Sequence, residues 1–205
     1  WAKTKQKIKE RISDLAERLM KLYLERSKVK GFSFQKDDEF QKQFENDFEH
    51  DLTYDQAKAI LEIKNDMESE TPMDRLLCGD VGFGKTEVAF RAAFKAINSG
   101  KQVALLCPTT LLAKQHFDLA NKRFAKFDVK TALFSRFVPL KRQKQYIEEI
   151  ASGKIHLIIG THKLLSKNII FKDLGLFIID EEQRFGVEQK ERLKELKSNI
   201  DVLTL

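Results

Sequence analysis

The pattern of apolar and polar residues divides the chain into three stretches. In the first, residues 3–28, apolar residues recur at alternating steps of four and three with charged residues between them: Ile8, Ile12, Leu15, Leu19 and Leu22. This spacing predicts one long amphipathic helix that ends near Lys30 and Gly31. The apolar stripe requires a packing partner, on this chain or on a neighbouring domain, and the pattern favours neither.

The second stretch, residues 32–70, is acidic and rich in phenylalanine. A helix would carry on one face the three aromatic residues that are four positions apart: Phe40, Phe44 and Phe48. We expect that face to pack against the core. A second helix is predicted at 54–68, with Thr53 as its N-cap.

From residue 71 to residue 205, short apolar runs alternate with amphipathic helices. The predicted strands are Arg75–Cys78, Gln102–Cys107, Val129–Phe134, His156–Ile159, Leu176–Asp180 and Val202–Leu205. Strands that alternate with helices favour an α/β fold, with a parallel sheet covered by helices on both faces. We therefore divide the chain into segments 1–31, 32–70 and 71–205.

Composition adds little to this division. Hydrophobic residues make up 42% and charged residues 33%, as in soluble globular proteins, and no apolar run reaches the ~20 residues of a membrane span. We therefore expect no membrane partner. The two cysteines, Cys78 and Cys107, end predicted strands, and we expect buried reduced thiols and a cytoplasmic location. The chain begins at Trp1 and stops within an apolar run, so we expect a piece of a longer protein.

Charge is unevenly distributed. The net charge is +6, with +6 in residues 1–30, −8 in residues 31–70 and +8 in residues 71–205. A basic body with an acidic collar fits a polyanionic partner, and equally a solvated surface.

One motif has the spacing of a nucleotide phosphate-binding loop. Residues 79–86 match G-x-x-x-x-G-K-[ST] throughout: Gly79, Asp80, Val81, Gly82, Phe83, Gly84, Lys85 and Thr86. They follow a predicted strand and open a predicted helix, Glu87–Asn98, so backbone N–H groups and the helix N-terminus can face phosphates. Lys85 should reach the β and γ phosphates and Thr86 should bind Mg²⁺, which predicts ATP as the ligand. Glu87 belongs to the same predicted nucleotide site.

A second motif follows the apolar strand at Leu176. Asp180 and Glu181 stand where that strand ends, at the edge of the sheet where the phosphate loop also emerges. Asp180 would hold Mg²⁺, and Glu181 would orient and deprotonate the attacking water. Acidic residues after a strand are common, so this motif alone is weak evidence for a nucleotide site. It becomes strong evidence together with the phosphate loop at the same sheet edge.

Together these motifs resemble a known family. Asp-Glu-Glu-Gln at 180–183 and the loop at 79–87 are similar to those of superfamily 2 helicases and translocases, in the branch that contains RecG and the bacterial transcription-repair coupling factors. Residues 72–76, 108–116, 135–137 and 160–165 carry the same resemblance, which covers about residues 48–205. The helix at 3–28 is a looser match to the family's linker helix. A DEAD-box RNA helicase would instead have Asp-Glu-Ala-Asp at 180–183.

The resemblance implies further site residues. Gln56 would read the adenine edge, with Phe48 or Tyr54 stacked on the base; without the phosphate loop, Gln56 would be taken as an exposed helix residue. Three segments would grip the backbone of double-stranded DNA through Thr109, Thr110, Gln115, His116, Ser135, Arg136, Thr161, His162 and Lys163. Each segment alone would be an ordinary capped helix start. The loop at 184–186 would either report the γ-phosphate state or pack Phe185 under the next helix.

The resemblance implies a RecA-like lobe of an ATP-dependent DNA translocase that displaces stalled RNA polymerase in transcription-coupled DNA repair. Two alternatives stay open: a RecG-like fork-remodelling helicase and a non-catalytic nucleotide-gated interaction module. RNA polymerase would bind a module upstream of this chain. The family's motif III and second RecA-like lobe would follow Leu205, so we expect the isolated chain to have little ATPase activity.

Overall fold

The computed structural model describes residues 30–80, 82–186, 189, 193 and 199–205. The helix predicted at 3–28 therefore lies outside the described residues, and so does Val81 of the phosphate loop. Across the described ranges, no helix combines the length and apolar character required to cross a membrane.

Helices and strands alternate along the described chain. The helices are α1 (Glu39–Asn46), α2 (Tyr54–Met67), α3 (Lys85–Asn98), α4 (Thr110–Arg123) and α5 (Leu140–Ala151). The strands are β1 (Asp74–Leu76), β2 (Gln102–Leu106), β3 (Thr131–Phe134), β4 (Leu157–Gly160), β5 (Leu174–Ile179) and β6 (Asp201–Thr204). Short 3₁₀ turns follow β4 and β5, at His162–Leu165 and Glu182–Arg184.

Within the described part of the chain, the six strands form one parallel sheet in the order β1-β6-β5-β2-β4-β3. Alternate residues of β2 enter different cores: Val103 and Leu105 pack under α1 to α4, whereas Ala104 and Leu106 face the opposite side with Ile150 of α5. Both sheet faces are therefore covered, as predicted, and the α/β fold class is confirmed. Because the strands are parallel, all their carboxyl ends lie along one edge.

The acidic segment is fastened to α3 by ion pairs. Nζ of Lys95, which is 3% exposed, lies 2.8 Å from a carboxylate oxygen of Asp37 and 2.7 Å from one of Glu68. Lys64 pairs with Asp37 and with Glu45. The carboxylates of Asp37, Glu45 and Glu68 are thus paired at partly buried positions, where a charge requires a partner of opposite sign.

Two sequence predictions about side chains were wrong. Of the three phenylalanines predicted to share a buried face, only Phe44 is buried, stacked on Phe94 with ring centroids 4.2 Å apart. Helix α1 ends before Phe48, and Phe40 is 62% exposed at a cavity of about 670 Å³ beside the end of α3. Cys78 is exposed because β1 stops at Leu76, whereas Cys107 is buried as predicted.

Candidate functional site

The phosphate loop joins β1 to α3 through two left-handed glycines, Gly82 (φ 85°) and Gly84 (φ 77°). Other residues adopt this conformation at a cost of about 1 kcal/mol, so the loop shape depends on glycine. Nζ of Lys85 donates to the carbonyl oxygen of Gly79 at 2.8 Å and closes the loop. Gly84 is the N-cap of α3 and offers no side chain to its first turn, which suits a phosphate as the capping group.

Gln56 supports this loop from α2. Its Oε1 accepts from the N–H of Thr53 at 2.9 Å, completing a capping box, and its Nε2 donates to the carbonyl oxygen of Phe83. Thr53 is therefore the N-cap, as predicted. Each end of the Gln56 amide makes one of these bonds, and a second N–H and a second oxygen lone pair are left.

The two aromatic candidates for base stacking differ in accessibility. Tyr54 is 82% exposed at the start of α2. Phe48 is half-buried, and the guanidinium carbons of Arg91 and Arg123 lie 5.7 Å and 5.5 Å from its ring centroid. Tyr54 is therefore the aromatic side chain that is free to meet a base.

Glu87 does not have the environment expected of a nucleotide-binding side chain. It is 7% exposed, and its carboxylate accepts from Nε of Arg91 at 2.8 Å and from Nε of Arg123 at 2.9 Å. Its carboxylate thus joins α3 to α4 below the surface. Glu87 therefore has a structural role between buried Arg91 and half-buried Arg123, and its side-chain contact with nucleotide stays a prediction.

Asp180 follows β5, and its backbone N–H donates to the carbonyl oxygen of Leu106 at 2.9 Å. Its Oδ2 lies 2.7 Å from Nε2 of His116, which is 7% exposed on α4. The family resemblance implied that His116 contacts DNA, but the spacing of Ala113, His116 and Ala120 also fits one buried helix face, and all three are buried.

Cys107 lies beside this pair: its sulfur and the facing atoms of His116 and Asp180 lie within 4.8 Å of one another. Burial, reinforced by the charges of Asp180 and Glu181, raises the pKa of the Cys107 thiol far above its ordinary value. The thiol therefore remains protonated and is not a nucleophile.

Glu181 has a strained backbone. Its φ of 51° and ψ of 52° lie in the left-handed region, where a glutamate costs roughly 1–2 kcal/mol. Nε of Arg184 forms an ion pair with Oε2 of Glu181 at 3.0 Å. That oxygen is buried, and no donor among the described residues makes a hydrogen bond to it, so the ion pair lacks hydrogen-bonding geometry. Strain of this kind is concentrated at functional sites.

The loop after Asp180 also meets the end of β6. The hydroxyl of Thr204 lies 3.4 Å from Oε2 of Glu182. Phe185 is 6% exposed and packs in the core on the α5 side, which supports the packing interpretation of residues 184–186.

The donor set at this edge fits Mg²⁺. Thr86 supplies a hydroxyl in the first turn of α3, and no described residue hydrogen-bonds Oδ1 of Asp180. Mg²⁺ prefers such hard oxygen ligands and keeps several waters, so few protein ligands are sufficient.

The predicted DNA contacts follow β2, β3 and β4, and they divide by exposure. The accessible side chains, exposed or half-buried, are Thr109, Thr110, Gln115, Arg136, His162 and Lys163. The buried side chains are His116, Ser135 and Thr161. Ser135 is 1% exposed and accepts from the N–H of Phe137, so burial prevents these three side chains from touching a DNA backbone in this conformation.

The strand order separates the two sets of motifs. The phosphate loop and Asp180 follow β1 and β5, in one half of the sheet, whereas the DNA candidates follow β2, β4 and β3 in the other half. Strands β5 and β2 are neighbours, and the pair formed by Asp180 and His116 stands where the halves meet.

Several known proteins are similar to this chain in sequence or fold. The chain is 54% identical over all 205 residues to the transcription-repair-coupling factor of Bacillus subtilis (strain 168) and 56% identical to that of Staphylococcus aureus (strain USA300). It spans only 17% and 18% of these relatives.

Among solved structures, RecG bound to a three-way DNA junction matches with a TM-score of 0.79 and 36% identity, over 90% of this chain and 25% of that one. The DUF1998 helicase MrfA matches in fold, with a TM-score of 0.60 and 15% identity over 82% of this chain and 29% of that one. Residues 53–204 match the sequence model of DEAD/DEAH box helicases. The chain therefore belongs to the DEAD/DEAH box helicase family.

Proposed function

We propose that this chain is the ATP-binding lobe of an ATP-dependent double-stranded DNA translocase that displaces stalled RNA polymerase in transcription-coupled DNA repair. One observation carries the proposal: a phosphate loop and a carboxylate pair share one sheet edge with polar strand ends, in a chain 54–56% identical to transcription-repair-coupling factors. In the full-length protein, RNA polymerase would bind an upstream module, and a second RecA-like lobe would close over the nucleotide.

The nucleotide chemistry is assigned to four side chains. Lys85 would exchange its bond to Gly79 for the β and γ phosphates of ATP. Thr86 and Asp180 would hold Mg²⁺, which neutralises phosphate charge when it is bound. Glu181 would orient the attacking water and accept its proton.

The DNA contact is assigned to the accessible residues at the ends of β2, β3 and β4. Thr109 and Thr110 begin α4, Arg136 is exposed after β3, and Lys163 is half-buried in the turn after β4. Hydroxyl, guanidinium and ammonium groups bind phosphates regardless of base sequence. Such contacts suit a motor that must move along any sequence.

The test is Glu181→Gln in the full-length protein, with Glu148→Gln, on the exposed face of α5, as the matched control. We expect Glu181→Gln to lower DNA-stimulated ATPase activity by ~10²–10⁴-fold and to stop polymerase displacement. Binding of nucleotide and DNA should persist. Unchanged ATPase and displacement in Glu181→Gln would refute the motor and favour a nucleotide-gated interaction module.

A RecG-like fork-remodelling helicase is the second candidate, favoured by the match to RecG on a three-way junction. The same full-length protein distinguishes the two. Displacement of a stalled polymerase without regression of a model fork supports the first function, and the reverse result supports the second.

A further inference from the structure

We propose that His116 is a positioning residue that links DNA contact at the start of α4 to the orientation of the Asp180 carboxylate. The inference deepens the proposed function and rests on it, because it assumes that Asp180 serves the nucleotide and that α4 begins at the DNA.

The contact between the two residues is direct and buried. Nε2 of His116 lies 2.7 Å from Oδ2 of Asp180, and an ionised carboxylate only accepts, so Nε2 carries the hydrogen. Nδ1 of the same ring is buried without a hydrogen-bond partner among the residues that the structure describes. Asp180 is therefore the single polar anchor of this ring within the described chain.

The bond constrains the direction of the Asp180 carboxylate. With Oδ2 held by the imidazole, Oδ1 is the oxygen left for the nucleotide site. Residues that hold a metal-binding carboxylate in this way set its direction, and losing them typically weakens metal binding ~10–100-fold.

The N-terminal end of α4 carries the DNA candidates Thr109 and Thr110. His116 lies less than two turns from Thr109, whose side chain caps the helix by accepting from the N–H of Leu112. Ala113 and Ala120, on the same face as His116, are fully buried, so this face of α4 is packed in the core. Gln115, the residue before His116, is exposed.

A small shift of α4 on binding DNA would therefore move the imidazole and turn the carboxylate. Thermodynamic reciprocity requires the converse, that occupancy of the nucleotide site changes DNA affinity by the same factor. The path for this coupling is short. Strand β2, which precedes the DNA candidates of α4, is the neighbour of β5, which precedes Asp180.

The test compares His116→Gln with His116→Asn in the full-length protein. Both amides are polar and smaller than histidine, but the glutamine nitrogen reaches about as far as Nε2, whereas the asparagine nitrogen stops near Nδ1. His116→Leu removes the donor altogether. His156→Leu is the control, because His156 precedes β4 at the opposite edge of the sheet.

The first readout is the affinity for a fluorescent ATP analogue, measured with Mg²⁺ and with EDTA. We expect His116→Asn and His116→Leu to lose ~10-fold or more of the Mg²⁺-dependent gain in affinity, with little change in EDTA. His116→Gln should retain most of the gain, and His156→Leu should match the wild type.

The second readout is the factor by which a duplex DNA stimulates ATPase activity. This factor should fall in His116→Asn and His116→Leu, change little in His116→Gln and match the wild type in His156→Leu. Equal Mg²⁺-dependent gains in all the variants, or equal losses in His116→Gln and His116→Asn, would overturn the inference. If His116→Leu does not fold, the comparison of His116→Gln with His116→Asn still tests the inference. A wild type without DNA stimulation would refute the proposed function and the coupling to DNA, while the Mg²⁺ readout would still decide the role toward Asp180.

Discussion

The side-chain amide of Gln56 occupies the space that a side chain at position 84 would need. A β-carbon built on Gly84 would lie 2.6 Å from Nε2 of Gln56, while the same nitrogen donates to the carbonyl oxygen of Phe83. The phosphate loop is thus shaped by contact with α2 as well as by its own glycines.

Gly84→Ala should therefore weaken nucleotide binding beyond its effect on folding. The left-handed φ of 77° costs an alanine roughly 1 kcal/mol, and the added methyl group must also displace Gln56. Differential scanning fluorimetry and titration with a fluorescent ATP analogue measure the two effects.

Gly100→Ala is the matched control. Its φ is 80°, but its β-carbon would meet nothing within 4 Å. It should lose a similar ~1 kcal/mol of stability and keep its nucleotide affinity. Equal nucleotide affinity in both variants would contradict the prediction, because the side chain of Gln56 would then move aside without any effect on nucleotide binding.

Glu87→Ala should strongly destabilise the fold, because it removes the buried carboxylate that pairs with the guanidinium groups of Arg91 and Arg123. Removing one member of a buried ion pair costs about 3–5 kcal/mol. Urea denaturation measures the loss. Asp118→Ala, which breaks the exposed pair with Lys114, should change little. A loss of nucleotide affinity at unchanged stability would instead support the predicted nucleotide-binding role of Glu87.

Glu181→Asn should abolish ATPase activity and leave the protein equally or more stable. Asparagine tolerates the left-handed region better than glutamate, so the backbone strain at φ 51° is relieved, with a gain of up to ~1 kcal/mol. The comparison is with Glu181→Gln, which loses the carboxylate but keeps the strain. Lower stability in the asparagine variant would contradict the assignment of strain.

Asp37 should make stability depend on pH in the acid range. Burial by itself would raise the pKa of Asp37, but hydrogen bonds and charge from Lys64 and Lys95 outweigh it and lower the pKa below the ordinary value of 3.8. A lowered pKa contributes stability above the unfolded value, and that stability is lost as the pH falls through the folded pKa.

Asp37→Asn should therefore be less stable than the wild type at pH 7, and the difference should shrink as the pH falls from 5 toward 2. Thermal melts over this range measure it. A difference that stays constant or grows with acid would contradict the ion pairs of Asp37.

The sequence alone determined the parts of this protein that depend on local spacing. The described residues of the phosphate loop, the N-cap at Thr53 and the alternation of strand and helix are set within a few positions, and each is present in the structure. The parallel sheet followed from that alternation, since parallel strands need a helical crossover.

The tertiary structure decided which of those residues meet. The bond from His116 to Asp180 spans 64 positions, and the pairing of Glu87 with Arg123 spans 36. Both depend on which elements become neighbours: β2 beside β5 in the first case, and α3 beside α4 in the second. Side-chain periodicity specifies the buried face of a helix but not the element that covers it, so neither the partner of His116 nor that of Glu87 could be read from the sequence.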